Sequence, residues 1–317
     1  MSNSNSPTSL DSLPWSEPRV CVVGDVMVDA YMWGHVHRIS PEAPVPVVEV
    51  SRKEQRVGGA ANVVKNLAAL GAEVDLISVV GDDQAGRDLT SLLATMCTPH
   101  LSLDPSRPTT VKTRVISGGH HVVRVDEEST ADVTSKVSQE ALSALNAVLN
   151  GDRKPDVVIL EDYDKGLMTE SFVGQAIEAC RHADVPVTVD PKLKRFAAYR
   201  EVDLFKPNLK ELNEGLGLTH PVDPSDREGM QHAVEALHFM QRVFGTTVSV
   251  AMVPCASVRA ASALERLGLI VVGDCRGSRV LRFEDDAQLV DNVHTALEVL
   301  TVTRKSCVRL DELLDEI

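Results

Sequence analysis

Aromatic residues are scarce in this sequence of 317 residues. Phe, Trp and Tyr together make up 3% of the chain, whereas hydrophobic residues as a whole make up 43%. A core must therefore be built from aliphatic side chains, and the hydrophobic share is ample for an ordinary globular protein. At this length the chain can form one large α/β domain or two smaller ones.

The sequence also lacks an apolar run of the roughly 18 residues that are needed to cross a bilayer. Residues 1–18 are rich in Ser, Asn and Pro, and they contain neither a basic start nor an apolar stretch. This composition predicts a disordered N-terminal tail and not a signal peptide. We therefore expect no membrane association.

Cysteine pairs are missing as well, because the six cysteines are widely scattered and none forms a Cys-x-x-Cys pair. Zinc and disulfide frameworks are both disfavoured, and the pattern is typical of a cytoplasmic protein.

Basic residues are outnumbered, with 32 Lys and Arg against 46 Asp and Glu, which leaves a net charge of -14. Nucleic acid is therefore not expected as a partner. An anionic small substrate is compatible with this charge if basic residues gather locally.

Short apolar runs alternate with amphipathic stretches through much of the chain. Predicted strands cover residues 20–23, 74–80, 156–160 and 186–189, and predicted helices cover 84–96, 134–149 and 169–182. This alternation predicts a parallel sheet covered by helices on both faces. Polar residues follow the strands and should share one edge of the sheet, where open α/β sheets bind ligands. They are Asp25, Asp82, Asp162, Asp190 and Asn208.

A glycine pair opens a predicted helix in Gly58-Gly59-Ala60-Ala61-Asn62. Glycine lets the backbone approach a ligand closely, and the free N–H groups of a helix start suit hydroxyls or an anion. The alternative is a tight turn without a ligand. Small apolar residues at helical spacing follow the pair, and Gly71 is well placed to end the helix.

Two further stretches are expected to lie outside the main sheet. Residues 38–50 contain three prolines followed by β-branched residues, which indicates an edge strand or flap. Residues 110–116 and 121–126 alternate apolar and polar positions around a glycine turn, which predicts a hairpin. Lys112, Arg114 and Arg124 would share one face of that hairpin, either as a solvated surface or as a site for an anion.

Several separated motifs resemble the ribokinase-like carbohydrate kinases: Gly58-Gly59-Ala60-Ala61-Asn62, Asp190-Pro191-Lys192 and Asn208-Leu209-Lys210-Glu211. Residues 24–29, residues 38–48 and Asp162-Tyr163 with Lys165-Gly166 are similar, more narrowly, to the bacterial heptose-7-phosphate kinases of that family. The resemblance implies a ribokinase-like three-layer α/β/α sandwich with a mainly parallel sheet. It further implies one domain over residues 19–317, and a small β lid at about 31–57 and 108–126 that forms a homodimer.

The same resemblance implies phosphorylation of the anomeric hydroxyl of D-glycero-D-manno-heptose 7-phosphate by ATP with Mg²⁺. It places hydroxyl-binding acceptors and phosphate-binding cations at the substrate site. The implied substrate-binding residues are Asp25, Asp29, Gly58, Gly59, Asn62, Arg124, Asp162, Lys165 and Lys192. Asn208 and Glu211 would lie at the ATP phosphates, with Glu211 holding Mg²⁺ through water.

The second part of the chain departs from the family pattern, because it contains no Gly-Ala-Gly-Asp sequence. In the family that motif supplies the anion hole and the catalytic base. Its expected place is residues 273–279, where Asp274 is the nearest carboxylate and the candidate base. Two hypotheses stay open: an active kinase with a displaced base, and a sugar-phosphate-binding pseudokinase. A nicotinamide-dependent dehydrogenase is disfavoured because no Gly-x-Gly-x-x-Gly follows the first strand.

Overall fold

The computed structural model describes residues 18–215, residue 217 and residues 248–249. The strands are β1 (Arg19–Gly24), β2 (Val26–Ile39), β3 (Pro46–Gly59), β4 (Glu73–Val80), β5 (Thr98–Leu103), β6 (Val111–Ser117), β7 (His120–Glu127), β8 (Val157–Glu161), β9 (Val187–Asp190), β10 (Leu204–Phe205) and β11 (Val248–Ser249). The helices are α1 (Ala60–Ala69), α2 (Gln84–Leu93), α3 (Ser135–Leu149), α4 (Glu170–His182) and α5 (Leu209–Gly215), and a 3₁₀ segment covers Leu193–Ala198.

Seven strands form the main sheet in the order β11-β10-β9-β8-β1-β4-β5, and the neighbouring strands are parallel. Successive side chains of a strand point to opposite faces, so each face receives its own apolar set. Val158 and Leu160 of β8 pack with residues of α3 and α4. Val157 and Ile159 pack with residues of α1 and α2. The predicted parallel sheet with helices on both faces, a three-layer α/β/α sandwich, is confirmed.

A smaller sheet, which we call the lid, consists of β2, β3, β6 and β7 in the order β3-β2-β6-β7. β2 pairs antiparallel with β3 and parallel with β6, and β6 pairs antiparallel with β7. The predicted hairpin around the glycine turn is thus present. β2 begins at Val26, earlier than the expected lid boundary near 31, because a single residue separates it from β1.

Helices begin and end at residues whose chemistry suits those positions. The side chains of Asp83, Thr134 and Thr169 accept hydrogen bonds from backbone N–H groups in the first turns of α2, α3 and α4. These residues are N-caps, which satisfy donors that have no partner within the helix. α1 follows Gly59 at φ 59°, and Gly71 lies just past its end at φ 86°, as predicted for a terminating glycine.

One local prediction was wrong, and one strand was missed. α2 ends at Leu93 and not at 96, because residues 94–96 form hydrogen-bonded turns after the last full helical turn. β5 was not predicted at all. This strand contains Pro99 and lies at the edge of the main sheet, where its only pairing among the described residues is with β4.

The sequence pattern also predicts helices over 226–244, 287–302 and 310–317 and strands over 247–253 and 269–272. Apart from Val248–Ser249, these predicted elements lie outside the described residues, as do residues 1–17 of the predicted tail. Within the predicted strand 247–253, Val248–Ser249 is described and pairs with β10. Among the helices that the structure describes, none combines the length and hydropathy needed to cross a bilayer.

Candidate functional site

The carboxyl ends of β1, β4, β8, β9 and β10 lie along one edge of the main sheet, which we call the carboxyl rim. Because these strands are parallel and adjacent, the residues that follow them are brought together as the sequence predicted. Asp25 follows β1, Gly81 follows β4, Asp162 follows β8, Asp190 ends β9 and Lys206 follows β10. Polar and charged groups therefore meet at the place where parallel sheets bind ligands.

The glycine pair lies where the lid meets the main sheet. Gly58 and Gly59 end β3, and the backbone N–H of Ala60 donates a 3.0 Å hydrogen bond to the carbonyl of Asp25. A Cβ on Gly58 would overlap Oδ2 of Asp29, and a Cβ on Gly59 would overlap the carbonyl oxygen of Asp25. Close approach therefore requires glycine at both positions, and the positive φ of Gly59 requires it again.

Asp29 lies on β2 opposite Arg56 of β3, and its carboxylate lies beside Gly58. Its Oδ1 accepts a 2.6 Å hydrogen bond from Nη1 of Arg114 on β6, and its side chain is 17% exposed. Asn62 lies in the first turn of α1 and is half-buried. Asp29, Gly58, Gly59 and Asn62 all lie at the junction of lid and rim, and we call these four residues the junction group.

Asp25 is placed differently from a carboxylate that faces a ligand. It is buried, and its Oδ2 accepts hydrogen bonds from the backbone N–H groups of Tyr163 and Lys165, both at 3.0 Å. Oδ1 accepts a longer bond of 3.4 Å from the N–H of Leu167. Burial raises the pKa of the Asp25 carboxyl to about 6, against the opposing effect of these three donors.

Asp162 is also buried and fully engaged within the protein. Its Oδ1 accepts a 2.7 Å hydrogen bond from the N–H of Asp164, and its Oδ2 accepts a 2.8 Å bond from the hydroxyl of Tyr199. Burial raises the pKa of the Asp162 carboxyl. Lys165, in the same loop, directs its Nζ to Glu128 at 3.0 Å. The loop after β8 is therefore held by internal contacts on several sides.

The other end of the rim contains the residues expected near ATP. Lys192 Nζ contacts Oε1 of Glu211 at 2.5 Å. Burial opposes a charge on Lys192, but the nearby carboxylates of Asp190 and Glu211 outweigh it and raise the pKa of the ammonium group. Asn208 and Glu211 exchange hydrogen bonds between side chain and backbone at 2.9 and 3.0 Å, which makes a capping box at the start of α5.

Glu161 was not among the predicted site residues. It ends β8 between Gly24 of β1 and Asp190 of β9, and its side chain is completely buried. Neither carboxylate oxygen has a hydrogen-bond partner among the described atoms, and burial together with the Asp190 carboxylate raises its pKa. The sequence does contain a signal for this position. Side chains alternate along a strand, so Glu161 lies on the same face as the apolar Val157 and Ile159, and its burial could have been predicted.

The lid carries the basic residues of the predicted hairpin. Arg114 pairs with Arg124 across β6 and β7, and Lys112 pairs with Asp126, so Lys112, Arg114 and Arg124 share one face. That prediction is confirmed. Arg124 is exposed and forms an ion pair with Asp126 at 3.0 Å. Asp274, the candidate base, lies outside the described residues.

Metal ligands are not grouped tightly at the rim. In the part of the chain that the structure describes, no set of three or more His, Cys, Asp or Glu side chains is arranged to hold a metal ion. Mg²⁺ commonly uses one or two carboxylates together with waters and substrate phosphates. The donors present, above all Glu211 beside Lys192, suit a hydrated cation better than direct coordination by several side chains.

A family model described as the pfkB family of carbohydrate kinases matches residues 17–250 of this chain. The bifunctional protein HldE of Azorhizobium caulinodans is 44% identical over 207 residues, which are 64% of this chain and 43% of that protein. The bifunctional protein HldE of Caulobacter sp. (strain K31) is 44% identical over 215 residues, covering 67% and 43% of the two chains. The match thus spans less than half the length of these curated relatives.

Solved structures share the fold. Phosphofructokinase-2 from Escherichia coli in complex with fructose-6-phosphate has a TM-score of 0.65 and 14% identity, covering 94% of this chain and 90% of that one. A carbohydrate kinase from Agrobacterium tumefaciens has a TM-score of 0.52 and 16% identity, covering 74% and 70%. These similarities confirm the predicted ribokinase-like fold and, at such low identity, carry no statement about substrate.

Proposed function

Because the chain belongs to the pfkB family of carbohydrate kinases, we propose that it is an ATP-dependent sugar kinase that phosphorylates the anomeric hydroxyl of D-glycero-D-manno-heptose 7-phosphate. The choice of sugar rests on the resemblance of residues 24–29, residues 38–48 and the Asp162-to-Gly166 loop to heptose-7-phosphate kinases. The observation that supports a sugar site is the junction group, in which the Asp29 carboxylate lies against Gly58 and neither Gly58 nor Gly59 has room for a Cβ.

The junction group is proposed to bind the sugar hydroxyls. Asp29 and Asn62 supply oxygen acceptors, and Gly58 and Gly59 let the sugar approach the backbone at the start of α1. Since Asp25 and Asp162 are occupied by internal hydrogen bonds, we assign them to supporting this group. We thus propose that Asp25 and Asp162 act on the sugar indirectly, in place of the direct contacts that the resemblance implies.

Basic residues at the rim and on the lid are proposed to bind phosphate groups. Lys165, in the loop after β8, and Arg124, on β7 of the lid, would face the 7-phosphate. Lys192 lies toward β9 and would face phosphates near the site of transfer. The ammonium and guanidinium groups suit phosphate oxygens because their hydrogen bonds are charge-assisted.

Asn208 and Glu211 are proposed to lie near the phosphates of ATP and a hydrated Mg²⁺. Mg²⁺ would neutralise charge on the phosphates, while Glu211 would contact its water ligands. The capping box and the contact with Lys192 hold the Glu211 carboxylate in one orientation. This chain would thus contribute a fixed carboxylate near the metal, and the ATP phosphates would supply further oxygens.

A second candidate function is a pseudokinase that binds sugar phosphate without transferring phosphate. The absence of a Gly-Ala-Gly-Asp sequence favours it, since loss of a general base reduces the rate by about 10²- to 10⁴-fold. ADP release coupled to NADH oxidation, measured with heptose 7-phosphate and MgATP, distinguishes the two. Turnover supports the kinase, and Asp274→Asn would then test the base.

Calorimetry completes this test. Binding of both ligands without turnover supports the pseudokinase, and no binding of heptose 7-phosphate contradicts both candidate functions.

A further inference from the structure

The geometry assigns Asp25 a positioning role: its carboxylate holds the backbone of residues 163–167 against the end of β1 and so determines where Lys165 lies. This inference rests on the proposed function in that Lys165 is taken to contact the sugar phosphate. The anchoring itself is a property of the fold. Asp25 would accordingly influence substrate affinity without touching the substrate.

Three backbone donors converge on this one side chain. Tyr163, Lys165 and Leu167 present their N–H groups to the Asp25 carboxylate at 3.0, 3.0 and 3.4 Å. Alternate residues of the loop therefore contact the same acceptor. Asp25 is only 5% exposed, so water cannot readily replace its carboxylate as the acceptor. Without this carboxylate, the three backbone N–H groups would lose their hydrogen-bond partner.

The loop contains two residues in the left-handed region of backbone space, Asp164 and Gly166. Asp164 has φ 55°, in the left-handed region that costs a non-glycine residue about 1–2 kcal/mol. Gly166 has φ 98°, and a Cβ there would overlap the carbonyl of Ala131. Asp and Gly tolerate this region better than other residues, and side-chain hydrogen bonds stabilise the conformation further. Asp25 supplies three of them, and Asp162 supplies another through the N–H of Asp164.

The backbone of Lys165 is hydrogen-bonded through both its N–H group and its carbonyl group. Its N–H donates to Asp25, while its carbonyl accepts a 2.5 Å hydrogen bond from Nη1 of Arg107. With the backbone fixed, its Nζ reaches Oε1 of Glu128 at 3.0 Å, and the other oxygen of Glu128 lies 3.8 Å from Nζ of Lys112 on β6. The contacts thus connect Asp25 in the core to the basic face of the lid.

Amide hydrogen exchange in Asp25→Asn tests the anchor directly. Asn keeps one carbonyl acceptor but removes the charge and turns an NH₂ group toward one of the three donors. We expect exchange at residues 163, 165 and 167 to be about tenfold faster than in the wild type. Unchanged exchange at these three amides would overturn the inference, whatever the outcome for substrate binding.

Asp83→Asn is the matched control, because Asp83 also accepts backbone N–H bonds, from Gly86 and Thr109, both at 2.7 Å. It should speed exchange at residues 86 and 109 while leaving residues 163–167 and the affinity for heptose 7-phosphate unchanged. A comparable loss of affinity in Asp83→Asn would show that general destabilisation explains the result.

A double-mutant cycle by calorimetry tests the connection to Lys165. Asp25→Asn and Lys165→Met should each weaken binding of heptose 7-phosphate. In the double variant, the fold-loss of affinity should be smaller than the product of the two single fold-losses. Independent effects would contradict positioning through Lys165. If the wild type binds no heptose 7-phosphate, the proposed function fails, while the exchange result still decides the anchor.

Should Asp25→Asn fail to fold, the wild type itself provides the test. Exchange at residues 163, 165 and 167, corrected for the intrinsic rate, should be at least about tenfold slower than at the neighbouring amide of residue 166, which does not donate to Asp25. Equal protection at all four amides would overturn the inference.

Discussion

Aspartates that look alike in the sequence differ in what surrounds them. Asp29 faces the junction of lid and rim and pairs with Arg114, whereas Asp25 and Asp162 are buried and bonded to the protein itself. The three backbone partners of Asp25 lie 138, 140 and 142 residues away in the chain. Sequence patterns could therefore place these residues at the end of a strand but could not distinguish a ligand-binding carboxylate from a structural one.

We predict that Gly58→Ala impairs the junction group, since the new Cβ would overlap Oδ2 of Asp29. The unfolding free energy should fall by about 1–3 kcal/mol, and heptose 7-phosphate affinity should fall with it. Gly174→Ala is the control, because Gly174 lies within α4 with open space around it. That change should stabilise by about 0.5–1 kcal/mol. Urea unfolding and calorimetry measure both, and an unaltered affinity in Gly58→Ala would contradict the assignment.

Asp25 predicts a specific dependence of stability on pH. Burial raises its pKa from 3.8 to about 6 in the folded state, so the folded protein binds this proton more tightly than the unfolded chain. The stabilising contribution is complete below about pH 4 and is lost as the pH rises through about 6. Relative to Asp25→Asn, the wild type should lose on the order of 3 kcal/mol across this range. Urea unfolding at several pH values tests it, and a pH-independent difference would count against it.

Elements with strong local chemistry were predicted well, and those defined by distant partners were not. The helices at α3 and α4 follow N-cap threonines, and α1 lies between glycines with the required backbone geometry. β5 is a short edge strand that pairs only with β4 in the described region, and local pattern says little about such a strand. The early start of β2 was missed because Gly24-Asp25 looks like an ordinary turn.

The capping box of α5 separates the structural and binding roles of Glu211. Glu211→Gln keeps an acceptor for the N–H of Asn208 and removes the charge beside Lys192, so MgATP affinity should fall with little loss of stability. Glu211→Ala removes both and should cost about 1 kcal/mol more in unfolding free energy. Chemical denaturation and nucleotide titration measure the two effects, and equal stability in both variants would refute a capping role.

At the scale of the molecule, the sequence identified the parallel three-layer fold and the family but left the transfer chemistry open. Alternation of strand and helix specifies such a sheet because buried parallel strands are apolar on both faces. The expected place of the missing motif is residues 273–279, which lie outside the described residues. Its absence is therefore known from the sequence alone. The chain is therefore a member of a carbohydrate kinase family, whereas its sugar and its transfer step are proposals.

We also predict a homodimer formed through the lid, with Val123 and Val125 of β7 at the interface. Both are nearly half exposed, at 48% and 49%, and they share one lid face. Val123→Asp combined with Val125→Asp should yield monomers in sedimentation velocity, because burying two carboxylates in an apolar interface is costly. Leu92→Asp, on the exposed side of α2, should leave the assembly unchanged. A wild-type monomer would contradict the prediction.

The lid is built from two excursions of the chain, β2–β3 and β6–β7, with residues 60–110 of the main domain between them. Its central pairing, β2 with β6, joins Val28 to Val111. Such long-range pairings form slowly, because the intervening chain must first be brought to order. During synthesis, β2 and β3 therefore emerge well before the strand that completes their sheet. Until β6 arrives, the β2 edge of this long hairpin is open to pairing with other chains. This stage of folding is therefore the one most exposed to aggregation.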